Sequence, residues 1–247
     1  MDDAGGSLRR ARRCRVAFAG AVALVFAWAA TARAQTAAAP TQTVRFSVFS
    51  AKPIEDLAWV ARPGGVLQKL VFQPTARSAR AEYRGPMPLR FVDAATAAVV
   101  AEATIPAGLR EVLLLFTPAA PGQNGLRYQV AVLEDSTSRQ APGTLAILNL
   151  SGLALDGVIN TQKMALKAGL NPPVPVVRTA KITLSTTVKG RSYQSFAGSV
   201  TLGRSERALL VLFPPFYEGA KEVQSRMLVD LPPGSAPPLI GPKRIEK

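Results

Sequence analysis

The sequence predicts an all-β protein made of two tandem β-sandwich units, immunoglobulin-like or similar, with one continuous sandwich as the alternative. Short runs rich in Val, Ile, Phe and Thr recur along the chain, and turn-forming Gly, Pro, Asn or Asp separates them. Two of the runs, 112–116 and 208–213, are apolar throughout. A strand without a polar face must be covered on both sides, so two such strands a domain's length apart indicate two cores.

The first 34 residues have the pattern of a secretory signal peptide. Five arginines between Arg9 and Arg15 precede the uncharged, Ala-rich stretch 16–32, and a small-x-small site ends at Ala34. This order predicts cleavage before Gln35. An uncleaved membrane anchor is the alternative, because 17 uncharged residues lie at the short end of what spans a bilayer. The sequence therefore predicts an exported bacterial protein, periplasmic or extracellular, with no transmembrane segment after cleavage.

Composition excludes several classes of enzyme. The chain has no histidine, and its one cysteine, Cys14, falls inside the predicted signal peptide. Without these side chains, the mature chain has no Ser-His-Asp triad, no thiolate nucleophile and no cysteine-ligated metal. No Gly-rich loop opens a helix, so nothing in the sequence predicts a nucleotide phosphate site. We therefore expect a non-catalytic protein without a cofactor or a metal.

The predicted mature chain is strongly basic. Removal of residues 1–34 leaves 24 basic against 14 acidic side chains, a net charge of +10, compared with +14 for the full chain. Such an excess favours anionic partners. Because we expect export, nucleic acid is not an expected partner. The expected partners are an anionic polysaccharide, lipopolysaccharide or another protein of the envelope.

The segments of the mature chain follow from where large apolar residues occur. Residues 35–43 have none and are predicted to be a flexible leader. The first sandwich unit is predicted over 44–141 and the second over 142–231, because polar and turn-forming residues gather near Pro142. Residues 232–247 are rich in proline and are predicted to be a disordered tail. The predicted strands are 44–49, 56–61, 69–73, 89–93, 99–105, 112–116, 128–133, 145–150, 181–188, 197–202, 208–213 and 226–231.

Residues 155–170 have two competing patterns. Asp156-Gly157 between apolar residues is the signal of a two-residue hairpin turn. Asn160 could cap a helix and Gly169 could end it, although a helix of this length is marginal. We therefore predict a hairpin at Asp156-Gly157 with at most a short helix after it.

The segment 207–215 repeats the pattern of the segment 110–118. A shift of 97 residues places Arg110 on Arg207 and Phe116 on Phe213, and most other apolar positions stay apolar. Each copy has an arginine, an apolar run, a proline and a Gly-containing loop, followed by a second strand. We therefore expect the same hairpin in each half of the chain.

Four arginines near Tyr83 form the candidate anion-binding site. They are Arg77, Arg80, Arg84 and Arg90. Guanidinium groups bind phosphate or sulfate through paired hydrogen bonds, and an aromatic ring can contact a sugar face. The alternative is that these arginines are the solvated face of a strand.

A second candidate is the segment 213–219, where Phe216 and Tyr217 are predicted to form an exposed aromatic loop. The first copy of the repeat has Ala119 and Ala120 at the equivalent positions, so both copies do not require the aromatic pair. Trp59, in contrast, stands among apolar residues and is predicted to lie in the core.

The leading hypothesis is a non-catalytic exported envelope protein with a binding or structural role towards anionic glycans or lipid head groups. The alternatives are a carboxylate-dependent glycan hydrolase and a periplasmic chaperone or assembly factor. Neighbours on a strand point to opposite faces, so neither of the adjacent pairs Glu55-Asp56 and Glu134-Asp135 can converge on one bond if its strand continues through it. Both pairs are predicted to lie at solvated strand ends and turns. Two carboxyl groups from different strands in one cleft would favour the hydrolase, and an unpaired apolar edge strand would favour strand donation.

Overall fold

Strands make up the regular structure of the described part of the chain, which confirms the all-β prediction. The computed structural model describes residues 40–120 and 125–231. The predicted signal peptide, residues 35–39 of the predicted leader and the predicted tail from 232 lie outside these ranges. No described residue belongs to a helix, and so none belongs to a helix long and apolar enough to cross a membrane. The strands are β1 (Gln42–Ser50), β2 (Leu57–Val60), β3 (Leu67–Lys69), β4 (Ala81–Gly85), β5 (Leu89–Asp93), β6 (Val99–Ala103), β7 (Glu111–Pro118), β8 (Tyr128–Glu134), β9 (Thr144–Asn149), β10 (Leu155–Ile159), β11 (Gln162–Leu166), β12 (Gly169–Leu170), β13 (Val174–Pro175), β14 (Thr179–Val188), β15 (Arg191–Thr201), β16 (Arg207–Phe213) and β17 (Gln224–Asp230).

The described strands form four sheets, two from each half of the chain. The first half has a first inner sheet of order β4-β1-β7-β8 and a first outer sheet of order β3-β2-β5-β6. The second half has a second inner sheet of order β12-β9-β16-β17, in which β13 also pairs with β9. Its second outer sheet has the order β11-β10-β14-β15. Among the described strands, none of β1–β8 pairs with any of β9–β17.

The two inner sheets share one connectivity. In the first, β1 runs parallel to β7, with Phe46 opposite Val112. In the second, β9 runs parallel to β16, with Ala146 opposite Leu209. The next strand of each half, β8 or β17, then pairs antiparallel on the far side. The two similar apolar runs of the sequence are β7 and β16, which therefore occupy equivalent places.

Three apolar clusters lie between successive sheets. The first packs the outer sheet of the first half on its inner sheet and contains Trp59, which is 3% exposed and lies edge-on to Phe46 with ring centroids 4.8 Å apart. The prediction that Trp59 is a core residue is therefore confirmed. The second cluster does the same in the second half, around Leu145, Ile182 and Leu210. The third packs the two inner sheets on each other through Phe49, Leu113, Leu115, Ala146, Leu148, Leu209, Val211 and Leu228.

This layer order explains the uninterrupted apolar runs. On β7, Val112 and Leu114 pack against the first outer sheet, while Leu113 and Leu115 pack against the second inner sheet. Because successive side chains of a strand point to opposite faces, a strand covered on both faces needs apolar residues at every position. Each such buried side chain contributes roughly 1.5–3 kcal/mol to folding.

The hairpin turn predicted at Asp156-Gly157 forms four residues later, at Asn160-Thr161, since Ile159 lies opposite Gln162. Gly157 lies within β10, opposite Met164 of β11 and Leu184 of β14, and the turn is at Asn160, whose φ is 55°. Asparagine tolerates this left-handed conformation better than most residues do. The short helix considered after the hairpin is absent, because Gln162–Leu166 forms β11. Sheet pairing outweighs a helix too short to be stable alone.

Several other strand boundaries differ from the prediction; β15, for example, begins at Arg191 and not at 197. Two further cases share one cause. Gln42 and Thr43, assigned to the leader, begin β1 and lie opposite Gly85 and Arg84 of β4. The strand expected at 69–73 is instead the short β3, which ends at Lys69. Pairing with a neighbouring strand determines both boundaries, and the apolar pattern alone does not show that pairing.

Candidate ligand-binding cleft between the inner sheets

The interface between the two inner sheets changes character along its strands. Where β7 and β16 begin, it is charged, since Arg207 is the first residue of β16 and Asp135 donates its backbone N–H to the carbonyl of Glu111. In the middle it is the apolar cluster around Leu113 and Leu209. Towards the ends of β7 and β16 the side chains become smaller or polar. The sheets are thus held together at one end and leave an opening at the other.

Five charged side chains form a cluster at the closed end, the charge cluster: Arg77, Arg80, Asp135, Arg207 and Asp230. The guanidinium of Arg207 is fully buried and donates Nη2 to Asp135 Oδ1 at 2.8 Å, while its Nε lies 3.3 Å from Asp230 Oδ1. Arg77 Nη1 lies 2.5 Å from Asp135 Oδ1 and 3.3 Å from Asp230 Oδ2. Arg80 Nη2 lies 3.1 Å from Asp230 Oδ2.

The charge cluster joins the two halves of the chain. Arg77, Arg80 and Asp135 belong to the first half, and Arg207 and Asp230 face each other across β16 and β17 of the second. Arg207 Nη1 also donates to the carbonyl of Asp135 at 3.1 Å. Buried charges need such partners, because water no longer solvates them. The cluster is therefore a structural link between the inner sheets.

The four arginines predicted to bind an anion do not converge on one site. The side chain of Arg77 is only 5% exposed and that of Arg80 is 30% exposed. Both side chains bind the carboxylates of the charge cluster. Arg84 is exposed on β4 of the first inner sheet. Arg90 is exposed on β5 of the first outer sheet, where its Nε donates to Glu102 Oε1 at 2.9 Å. Anion binding by these residues stays a prediction, and at Arg77 an anion would compete with Asp135.

A cleft of about 620 Å³ occupies the open end of the interface, and we call it the inter-sheet cleft. This volume falls within the range of small-molecule sites, about 300–1,000 Å³. Its walls come from the ends of β1, β7, β9 and β16 and the beginnings of β8 and β17. The lining residues are Ser50, Ala51, Lys52, Leu115, Phe116, Thr117, Pro118, Gln129, Ala131, Leu150, Phe213, Pro214, Gln224 and Arg226.

Short side chains explain why the sheets do not close here. Leu133 of β8 packs in the central apolar cluster, but two residues earlier β8 has Ala131, and the next inward position of β7 is Thr117. On the facing sheet, the side chains of β17 also change along the strand, from Leu228 in the apolar cluster to Arg226 two residues earlier. Neither Ala131 nor Thr117 is large enough to fill the space that the leucines fill further along. The cleft is thus an unfilled continuation of the core between the inner sheets.

The charged side chains that line the cleft are both cationic. Lys52 and Arg226 are in its lining, and no Asp or Glu is. Arg226 donates Nη1 to the carbonyl of Ser225 at 2.8 Å, which fixes one end of its guanidinium. Within the described residues, neither Lys52 nor Arg226 has a carboxylate partner within 4.0 Å. An apolar space with two such cations attracts a ligand that carries negative charge.

The predicted aromatic loop lies beside the cleft. Phe213 and Pro214 line the cleft, and the chain continues directly to Phe216 and Tyr217, which are 84% and 73% exposed. Their exposure agrees with the expectation from the sequence, and a role in binding stays a prediction.

The carboxylates do not offer a hydrolase site in the charge cluster. Asp135 was expected at a solvated strand end or turn; it directly follows β8 but is only 4% exposed, because it binds Arg77 and Arg207. Asp135 and Asp230 come from different strand ends and share Arg77, but the cavity beside Asp135 has room for about one water molecule. A glycosidic bond does not fit there. Among the described residues, no group of three or more Asp or Glu side chains is placed to hold a metal ion.

The sheet edges bear on the strand-donation alternative. The longest described edge strand is β15, Arg191–Thr201, and most of its residues are exposed. Its outward side chains are mainly Ser, Tyr, Gln and Thr rather than large aliphatic residues. Strand donation uses pockets for alternate apolar side chains, so this edge does not favour it.

The cleft is a feature that the sequence did not indicate. Lys52 and Arg226 are 174 positions apart in the chain, and neither belongs to a recognisable motif. The weak signal was the change from leucine to alanine along β8. The sequence matches no protein-family model, and no curated protein matches it. Function is therefore inferred from the chemistry of the cleft.

Proposed function

We propose that the protein is a non-catalytic binding protein and that the inter-sheet cleft is its ligand site. The observation that carries this proposal is an opening of about 620 Å³ with apolar walls, two cations and no acidic lining residue. Pockets that combine an apolar body with a few directed polar groups are the usual form of a small-molecule site. Export of the protein, predicted from the first 34 residues, would place this site in the bacterial envelope or outside the cell.

The ligand class follows from the lining. Leu115, Leu150 and Phe213 provide contact area for an acyl chain or another apolar body. Arg226 can bind a carboxylate, sulfate or phosphate through two parallel hydrogen bonds, and Lys52 adds a second positive charge. We propose an amphiphile with one anionic head group. Lipids of the envelope have this chemistry. Among the anionic partners expected from the basic charge, the cleft therefore favours a lipid.

Titration calorimetry with decanoate and decanol tests the proposal. Both probes have the same apolar chain, but only decanoate is charged at neutral pH. We expect decanoate to bind more tightly than decanol. Replacing Arg226 with Gln should weaken decanoate binding roughly tenfold, equivalent to about 1.4 kcal/mol, and should leave decanol unaffected.

Two tryptophan substitutions, each replacing an alanine, test whether the probe lies in the cleft. Ala131→Trp places a large ring in the cleft, and Ala165→Trp places the same ring on the exposed face of β11, another edge strand. We expect loss of decanoate binding in the first variant and none in the second. Equal decanoate affinity in both variants would contradict the proposal.

A further inference from the structure

We propose that the aromatic loop, residues 213–219, docks the protein on an anionic lipid bilayer by inserting Phe216 and Tyr217 into the interfacial region. These adjacent side chains are 84% and 73% exposed. A single exposed apolar side chain is ordinary, but two neighbouring aromatic rings in water form a patch that packing within the protein does not explain.

The exposure of the two rings is built into the fold. Pro214 and Pro215 restrict the backbone before the rings, and Gln224 Nε2 donates to the Pro214 carbonyl at 2.9 Å. A turn follows, in which Ala220 N–H donates to the Tyr217 carbonyl at 3.2 Å. Val223 then returns to the core and is 6% exposed. The loop is thus held at both ends with its aromatic tip pointing away from the protein.

The chemistry of the tip matches a bilayer interface. A phenyl ring partitions into the acyl boundary, and tyrosine has an apolar ring with a hydroxyl group that can stay among the head groups. Lys52 and Arg226 line the neighbouring cleft, and the predicted mature chain has a net charge of +10. Anionic lipids attract such a chain electrostatically. The segment after Tyr217 carries Glu218, Lys221 and Glu222, so the attraction to an anionic bilayer comes from Lys52, Arg226 and the rest of the basic chain, not from the loop itself. The basic chain favours an anionic bilayer over a neutral one.

Docking of this kind would bring the cleft to the membrane surface. Pro214 belongs both to the aromatic loop and to the lining of the cleft. An amphiphile leaving the bilayer beside the loop would therefore be close to the cleft that Lys52 and Arg226 line. The docking itself does not require the cleft to bind a ligand, so it goes beyond the proposed function and can fail separately from it.

Fluorescence quenching in the mature chain, which is predicted to begin at Gln35, tests the docking. One variant carries Tyr217→Trp and the matched control carries Tyr193→Trp on β15, where Tyr193 is 39% exposed in the second outer sheet. Trp28 lies in the predicted signal peptide, so buried Trp59 is the shared background of both mature chains. The probes are vesicles of phosphatidylglycerol with brominated acyl chains and, separately, vesicles of brominated phosphatidylcholine.

We expect phosphatidylglycerol vesicles to quench the new tryptophan at position 217 and shift its emission to the blue, with neither effect at position 193. Phosphatidylcholine vesicles should quench position 217 less, because they carry no net charge. Adding Phe216→Ser to the first variant should weaken vesicle binding roughly tenfold, as expected for loss of one inserted ring. Equal quenching at both positions, or none at position 217, would overturn the inference. A blue shift without vesicles that grows with protein concentration would also overturn it, because a second copy would then cover the loop. Decanoate binding is measured without vesicles, so either proposal can fail alone.

Discussion

At the scale of single residues, Arg207 shows that the surrounding fold, and not the local sequence, decides whether an arginine is buried. Its equivalent in the first half, Arg110, is exposed, whereas Arg207 is 0% exposed. A buried guanidinium is tolerated only when hydrogen bonds and opposite charges replace water. Asp135 and Asp230 provide both. The same local sequence therefore gives a solvated residue in one half and the centre of the charge cluster in the other.

Removal of Arg207 should strongly destabilise the protein. We expect Arg207→Ala to lower the free energy of unfolding by roughly 2–5 kcal/mol, because it leaves a cavity and removes the donor from the buried carbonyl groups of Asp135 and Gln140. Arg207→Lys should cost less, since it keeps the charge but loses the planar set of donors. Urea denaturation measures both. The control is Arg90→Ala at the exposed Arg90–Glu102 pair, for which we expect less than about 1 kcal/mol. Equal losses for Arg207→Ala and Arg90→Ala would show that burial is not the cause.

Tyr83 should make stability depend on alkaline pH. Burial raises the pKa of its hydroxyl above the ordinary value of 10.0, and nearby Arg90 lowers it to a smaller extent. The unfolded chain therefore loses the proton first as pH rises. The contribution of Tyr83 to stability is full below 10.0 and is lost as pH rises from there through the folded pKa. We expect the urea midpoint to fall more in the parent than in Tyr83→Phe between neutral pH and pH above 10.0. The same fall in both proteins would exclude Tyr83 as a cause.

At the scale of elements, edge strand β4 depends on one glycine. The ring of Tyr83 lies over Gly85, two residues further along the same face, and its hydroxyl donates to the carbonyl of Pro86 at 2.6 Å. A Cβ atom at position 85 would lie 2.4 Å from that hydroxyl oxygen. No contact of this kind is tolerated without movement of the ring. Glycine is therefore required here for space rather than for an unusual φ.

The expected effect of Gly85→Ala is a loss of roughly 1–3 kcal/mol in the free energy of unfolding, as for other overpacked sites. The cause can be tested with a double-mutant cycle in which Tyr83→Leu removes the ring. In that background Gly85→Ala should cost much less. Thermal or urea unfolding of the four proteins gives the coupling free energy. Additive losses would mean that the backbone at position 85, and not the ring, resists the alanine.

At the scale of the whole molecule, two interactions hold the halves together. The central apolar cluster contains Leu113 and Leu115 from the first half and Leu209 and Val211 from the second. The charge cluster lies at one end of this interface. A half on its own would expose an apolar inner-sheet face to water, at a cost of roughly 25 cal/mol for each Å² of apolar surface. The halves therefore stabilise each other even though none of the described strand pairs joins them.

We expect the protein to unfold in one cooperative transition for this reason. Calorimetry should give equal calorimetric and van't Hoff enthalpies. Val211→Asp buries a charge in the shared cluster and should lower the single transition of the whole molecule. Two separate transitions, one of them unchanged by Val211→Asp, would show that the halves are thermodynamically independent. The division predicted near Pro142 stays a prediction until this measurement is made.

The sequence by itself determined the β architecture, the core position of Trp59 and the burial of β7 and β16 on both faces. These properties depend on local composition and on the two-residue period of a strand, so the pattern of neighbouring residues predicts them. The tertiary structure alone decided which arginines are free and which are buried, and it created the inter-sheet cleft. Arg80 meets Asp230 across 150 residues of chain, and the cleft depends on Ala131 facing a sheet formed by the other half. Such contacts arise from the packing of segments that are distant in the chain, so a local sequence pattern does not predict them.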